Sequence, residues 1–231
     1  MYQENKPQYR ILLLIALAHG LNDLIQGVIP SIYPALQSKY ALTMAQVGVI
    51  TLCYQLSASI LQPLVGNYTD KHPKPYSQVL GMAFTTMGIV SLSLASSYTA
   101  ILCSVVFIGV GSSVFHPESS RVAFLASGGR RSFAQAIFQL GGNFGTALAP
   151  LLVILVLFSK KIIDGRVVEE SHQGNLIWFA GFSIFAMLIL LLIGKWRSIL
   201  LKLLKKKAKK PVVLPNLPRA QIRNSMIILM L

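Results

Sequence analysis

Apolar residues gather in six blocks, at about 11–33, 43–66, 76–95, 99–120, 132–158 and 175–194, with short polar segments between them. At a rise of about 1.5 Å per residue, each block makes a helix long enough to cross a hydrocarbon core of about 30 Å. The pattern predicts six membrane-spanning helices. Residues 1–10 form a polar head, Pro34–Leu42 and Ser159–Gly174 read as polar loops, and Asn67–Pro75 reads as a charged hinge. Only Ser96–Tyr98 separates the third block from the fourth, so these two should form a tight antiparallel pair. After the sixth block comes a basic stretch, 195–220, broken by Pro211, Pro215 and Pro218. Residues 221–231 read as the start of a seventh span. This order is expected of the first half of a longer bundle or of a truncated reading frame, with a membrane-surface helix as the alternative for the last residues.

The first block breaks its own pattern. His19, Asn22, Asp23 and Gln26 recur at i, i+3, i+4 and i+7, so they share one helix face. A carboxylate near the middle of a membrane helix costs at least about 2.5–3.5 kcal/mol. It is retained where it faces protein or water, and there it marks an ion or substrate path.

Composition narrows the class. Of 231 residues, 54% are hydrophobic and 12% charged, and the mean hydropathy is +0.61. Soluble domains carry about 25% charged residues. An integral membrane protein is expected, and a soluble domain is excluded. The net charge of +14 would suggest nucleic acid in a soluble chain, but these charges lie between apolar blocks and in the late basic run. No nucleic-acid partner is expected, and Lys195–Lys210 should lie against anionic headgroups. If the head, the second–third and fourth–fifth connections and the tail share one side, that side holds seventeen of the 21 lysines and arginines. The positive-inside rule then places both ends in the cytoplasm. Cys53 and Cys103 lie inside apolar blocks and read as small core residues. The start does not read as a cleaved signal peptide, because its apolar run is too long and contains Asp23. There is no Ser/His/Asp order, HExxH motif or Cys/His cluster, so neither an enzyme, a metal site nor a cofactor is expected.

Depth along the predicted spans groups the remaining polar residues. Asp23 falls near the middle of the first span, with His19 one turn closer to the cytoplasm. Gln55 and Gln62 on the second span, His116, Glu118 and Arg121 on the fourth, and Gln139 and Asn143 on the fifth lie mostly in the inner half. Polar side chains at matched depth on several helices suit a water-filled cavity for a small molecule. His19 and Asp23, four apart, are candidates for proton coupling or for a buried interhelical anchor. Asn22, Gln26, His116, Glu118, Arg121, Gln139 and Asn143 are candidates for lining the path. Glu118 and Arg121, three apart, either relay charge or sit at the membrane edge. Gly141 and Gly145 are spaced as GxxxG, which suits close helix packing.

The segment Gly66–Lys74, GNYTDKHPK, resembles the signature between the second and third helices of the major facilitator superfamily. Gly66, Asp70, Lys71 and Lys74 match it, and Pro75 stands where the second of the paired terminal basics would be. Three further segments, HGLNDLIQGVIPSIYP at 19–34, GVGSSVFHPESSRVA at 109–123 and GRRSFAQAIFQLGGNFGTALAPLL at 129–152, look like the fosmidomycin-resistance branch of that superfamily. The resemblance covers most of residues 11–152. It implies an all-α integral membrane fold of 6+6 helices, of which this chain carries the N-terminal six. It implies export of a small drug or metabolite in exchange for protons, across a bacterial inner membrane, by rocking against a second six-helix half. Gly66, Asp70, Lys71 and Lys74 would then form a gating hinge that holds the cytoplasmic side shut. The alternatives are a non-transporting membrane scaffold or assembly protein, an inactive fragment, or an intramembrane enzyme using His116 and Glu118.

Overall fold

The computed structural model describes residues 6–163 and 166–207. Its described residues up to Arg197 form one compact unit. The helices are α1 (Tyr9–Ser31), α2 (Tyr33–Tyr40), α3 (Met44–Lys71), α4 (Ser77–Leu94), α5 (Tyr98–Ala126), α6 (Arg131–Leu157) and α7 (Trp178–Lys207). Between α6 and α7 lie the antiparallel strands β1 (Phe158–Ile163) and β2 (Arg166–Ser171) and a 3-10 turn, Gln173–Ile177. Among the described residues six helices are long and apolar enough to cross a membrane: all except the eight-residue α2.

The structure departs from the sequence reading in several places: the hinge expected at Asn67–Pro75 is helical as far as Lys71, and the span expected to end at 120 runs on to Ala126. The expected loop 34–42 is mostly helix, because Pro34 sits at the start of α2, where its fixed φ favours a helix and its missing N–H costs nothing. Ala41 ends it in the left-handed region, at φ 49°. The expected loop 159–174 is a hairpin followed by the 3-10 turn. The helix expected to stop at 194 continues as α7 to Lys207. The expected seventh-span start at 221–231 lies outside the described residues.

Capping fixes two of the helix starts. Thr43 and Gln46 form a reciprocal box at the start of α3, with the Thr43 N–H donating to Gln46 Oε1 at 2.9 Å and the Gln46 N–H to Thr43 Oγ1 at 3.2 Å. Ser97 caps α5 by accepting from the Ala100 N–H at 3.2 Å. Gly128 and Gly129, at φ 56° and 93°, supply the left-handed turn between α5 and α6.

α1 packs most extensively on α6, and α5 on α4 and α3. Close approach explains the first pair. A Cβ at Gly141 would overlap the Ala16 carbonyl oxygen, and one at Gly145 the Gly20 carbonyl oxygen. The GxxxG spacing therefore lets the two backbones touch. Buried apolar residues fall into two clusters. One runs from Leu24 through Ile89, Ile108 and Val153 to Phe179, and the other from Leu12 through Met82, Phe115 and Phe138 to Ile193. His19, Asn22, Asp23 and Ser112 lie where these clusters meet, so a polar layer divides the core.

Candidate functional site

α1 supplies the centre of the site. His19 is buried, and its ring stacks on Phe138 of α6 with centroids 3.9 Å apart and planes within 9°. Its Nδ1 lies 2.8 Å from the Phe138 carbonyl oxygen. A carbonyl only accepts, so Nδ1 carries a proton. On the other side of the ring, Nε2 lies 3.1 Å from Asp23 Oδ2. With Nδ1 already protonated, that contact holds one further proton, either on Nε2 as imidazolium against carboxylate or on Oδ2 as acid against neutral imidazole. Without it, two lone pairs would face each other. One hydrogen bond thus joins the pair.

Neighbouring helices complete the cluster. His116 of α5 brings its Nε2 to 3.7 Å from Asp23 Oδ1. The Asn22 amide donates to the same oxygen at 3.1 Å, while its own Oδ1 is buried without a partner. Gln26 accepts from the Tyr54 hydroxyl at 2.5 Å and from the Ser112 hydroxyl at 3.3 Å. Its amide is therefore turned toward His116 Nε2, 3.4 Å away. Gly142 on α6 makes room for the pair, because a Cβ there would lie 2.6 Å from Asp23 Oδ2.

The cluster opens on two clefts. One of about 260 Å3 is bounded by Asp23, Gln26, Tyr33, Thr51, Tyr54 and Gln55. The other, of about 660 Å3, is bounded by Gln62, His116, Ser120, Gln135, Phe138 and Gln139. α3 and α6 are the least covered spans, and Leu52, Leu56 and Ile60 on α3 and Leu140, Phe144 and Leu155 on α6 stand exposed.

The other sequence candidates are divided between this site and a second one. Asn143 is exposed on α6. Glu118 and Arg121 stand apart from the histidines, in a charge network. Glu118 is wholly buried, and its carboxylate accepts from Arg121 Nη1 at 2.6 Å, from the Ser77 hydroxyl at 2.7 Å and from Arg197 of α7. Arg121 also pairs with Asp70, whose side chain is mostly exposed, and reaches the Gly66 carbonyl oxygen at 3.5 Å. Lys71 and Lys74 are exposed at the end of the same hinge. The network joins α3, α4, α5 and α7 at the end of the bundle where α3 and α4 connect.

Sequence reasoning missed four contributors. Tyr54 and Ser112 look like ordinary span residues, and Gly142 looks like a packing glycine beside the GxxxG pair. Arg197 was counted with the basic tail, yet it is 1% exposed and bound to Glu118. Its signal was its place one turn before the Leu-rich end of an unbroken helical pattern.

The sequence profile of the Major Facilitator Superfamily matches residues 15–229. The fosmidomycin resistance protein of Escherichia coli is 45% identical over 98% of this chain and 53% of its own length. YfnC of Bacillus subtilis, an uncharacterised MFS-type transporter, is 41% identical over 87% of this chain and 47% of its own length. The chain spans about half the length of these relatives. Among solved structures, a bacterial homologue of the human lysosomal transporter Spinster, inward-facing and unoccupied, matches with a TM-score of 0.62 at 18% identity, over 80% of this chain and 42% of that one. The fucose:proton symporter FucP of E. coli matches with a TM-score of 0.55 at 16% identity, over 83% of this chain and 49% of that one. These two likenesses concern the fold.

Proposed function

Because the chain belongs to the Major Facilitator Superfamily, a family of multi-pass membrane transporters, we propose that it is the N-terminal six-helix half of a proton-coupled exporter of a small drug or metabolite. The likeness to a fosmidomycin resistance protein supports export, and the single-proton geometry of His19 and Asp23 carries the coupling. Protonation and release at this pair change the charge of the cavity wall, which biases a carrier between its two states. Gln26, His116 and Gln139 line the path around the pair, Asn22 is wholly buried and serves instead by holding Asp23 Oδ1, and Asn143 stands on the exposed face of α6.

The network of Glu118, Arg121 and Asp70, with Gly66, Lys71 and Lys74, serves as the gate at the other end of the path. Charge asymmetry supports a cytoplasmic location for both ends, and the bacterial relatives support an inner-membrane setting. A second six-helix half, in the same polypeptide or from another copy, covers the exposed faces of α3 and α6 and closes the two clefts. Residues 1–10 then serve as head and the helices through α7 as bundle, with residues beyond Lys207 as central loop and 221–231 as the start of the next span. Rocking of one half against the other alternates access.

Expression in cells stripped of their own drug pumps tests this reading. The parent should raise the tolerated concentration of at least one compound in a drug panel, and Asp23→Asn should abolish the gain at equal protein level. A mutant that protects as well as the parent removes Asp23 from coupling. A parent that protects against nothing favours a scaffold or an inactive fragment.

A further inference from the structure

His19, Asp23 and His116 form more than a proton site. One ligand atom from each lies within 4.8 Å of the other two. His19 and Asp23 are four apart on α1, but His116 comes from α5, so no motif spacing announces the trio. Their hydrogen bonds decide where their lone pairs point. His19 Nδ1 is bound to the Phe138 carbonyl, so in the neutral ring the free lone pair is on Nε2, facing Asp23. Gln26 accepts from Tyr54 and Ser112, which aims its amide at His116 and makes His116 Nε2 an acceptor as well. Asp23 Oδ1 is held by the Asn22 amide. Three donor groups of metal-binding type thus converge, and each is oriented by a partner outside the trio.

We propose that His19 Nε2, the Asp23 carboxylate and His116 Nε2 form a binding site for a divalent transition-metal ion, with Zn2+ the best match. Two imidazoles and one carboxylate suit a borderline-soft cation, and Zn–N and Zn–O bonds of about 2.0–2.2 Å place such ligands a little over 3 Å apart. His19 Nε2 lies 3.1 Å from Asp23 Oδ2 and His116 Nε2 lies 3.7 Å from Asp23 Oδ1, with the three ligand atoms within 4.8 Å of one another, so the groups must draw together around an ion. The 3.4 Å contact of His116 with Gln26, the longest hydrogen bond in the cluster, is the one it would give up to an ion. An imidazole N–H on a backbone carbonyl and an amide on the carboxylate are contacts of the kind that fix metal ligands in place. Clefts on both sides leave further coordination positions open to water or to a chelating solute. The site stands whether or not the pair carries transported protons.

The test is metal binding by the purified, tag-free chain in detergent. Competition with a chromophoric chelator measures Zn2+ affinity, and Co2+ substitution gives a visible spectrum. One ion per chain is expected. His116→Ala and Asp23→Asn should each weaken it by at least about tenfold, since loss of outer-shell partners alone costs about that much. His72→Ala should leave it unchanged. X-ray absorption on the unaltered chain needs no mutant and should report two imidazole nitrogens with oxygen. Sulfur ligation by Cys53 or Cys103, affinity untouched by either site mutation, or no ion retained overturns the proposal. No transport is measured, so failure here and failure of the exporter reading are separate results.

Discussion

At residue scale, the Phe138 carbonyl and the Asp23 carboxylate grip opposite nitrogens of one imidazole. That arrangement makes the number of protons at the pair a matter of geometry. Gly142 belongs to the same arrangement, because its missing side chain is the space in which His19 and Asp23 meet. Gly142→Ala should lower the melting temperature in detergent, consistent with an overpacking cost of about 1–3 kcal/mol. It should also weaken proton-coupled export beyond the loss of folded protein. A variant with parental melting and parental export would show that the neighbours move aside freely. The i, i+4 spacing made the His19–Asp23 pair legible in the sequence. His116, Tyr54, Ser112 and Gly142 were not legible as its partners, because their distances depend on how α3, α5 and α6 cross α1.

At the scale of elements, two junctions hold the bundle in its working shape. At the α1–α6 crossing, Gly145→Ala would press a methyl group on the Gly20 carbonyl and force the backbones apart. Gly181→Ala on α7 meets nothing within 4 Å and serves as its control. The first should lower the melting temperature clearly and the second should not. The other junction is Glu118, which ties α4, α5 and α7 through Ser77, Arg121 and Arg197. Glu118→Ala leaves Arg197 buried without its counter-ion, a loss of about 3–5 kcal/mol by comparison with other broken buried pairs. Asp70→Ala removes only an exposed partner of Arg121 and should cost about 1 kcal/mol or less. Thermal unfolding of the two mutants side by side checks the order. The six spans were readable because apolar length alone defines them. Arg197 was not, since a basic residue near a basic run looks solvated until a helix carries it back onto Glu118. The hairpin had a sequence signal, the Asp164-Gly165 dipeptide, which the membrane pattern outweighed.

For the whole molecule, the polar clefts and the bare faces of α3 and α6 belong together. The described bundle has one wall of a cavity, with His19 and Asp23 set into it and apolar surface on either side. Both features make sense when a second six-helix half packs there. The central claim is that substrate and proton exchange at a wall that carries Asp23. Inverted membrane vesicles from cells expressing the full reading frame test it most directly. Respiration acidifies their interior, and a pH-sensitive dye reports protons that leave when an exported compound is added. The account predicts proton release on addition with the parent and none with Asp23→Asn present at the same level. Equal release from the mutant would contradict it.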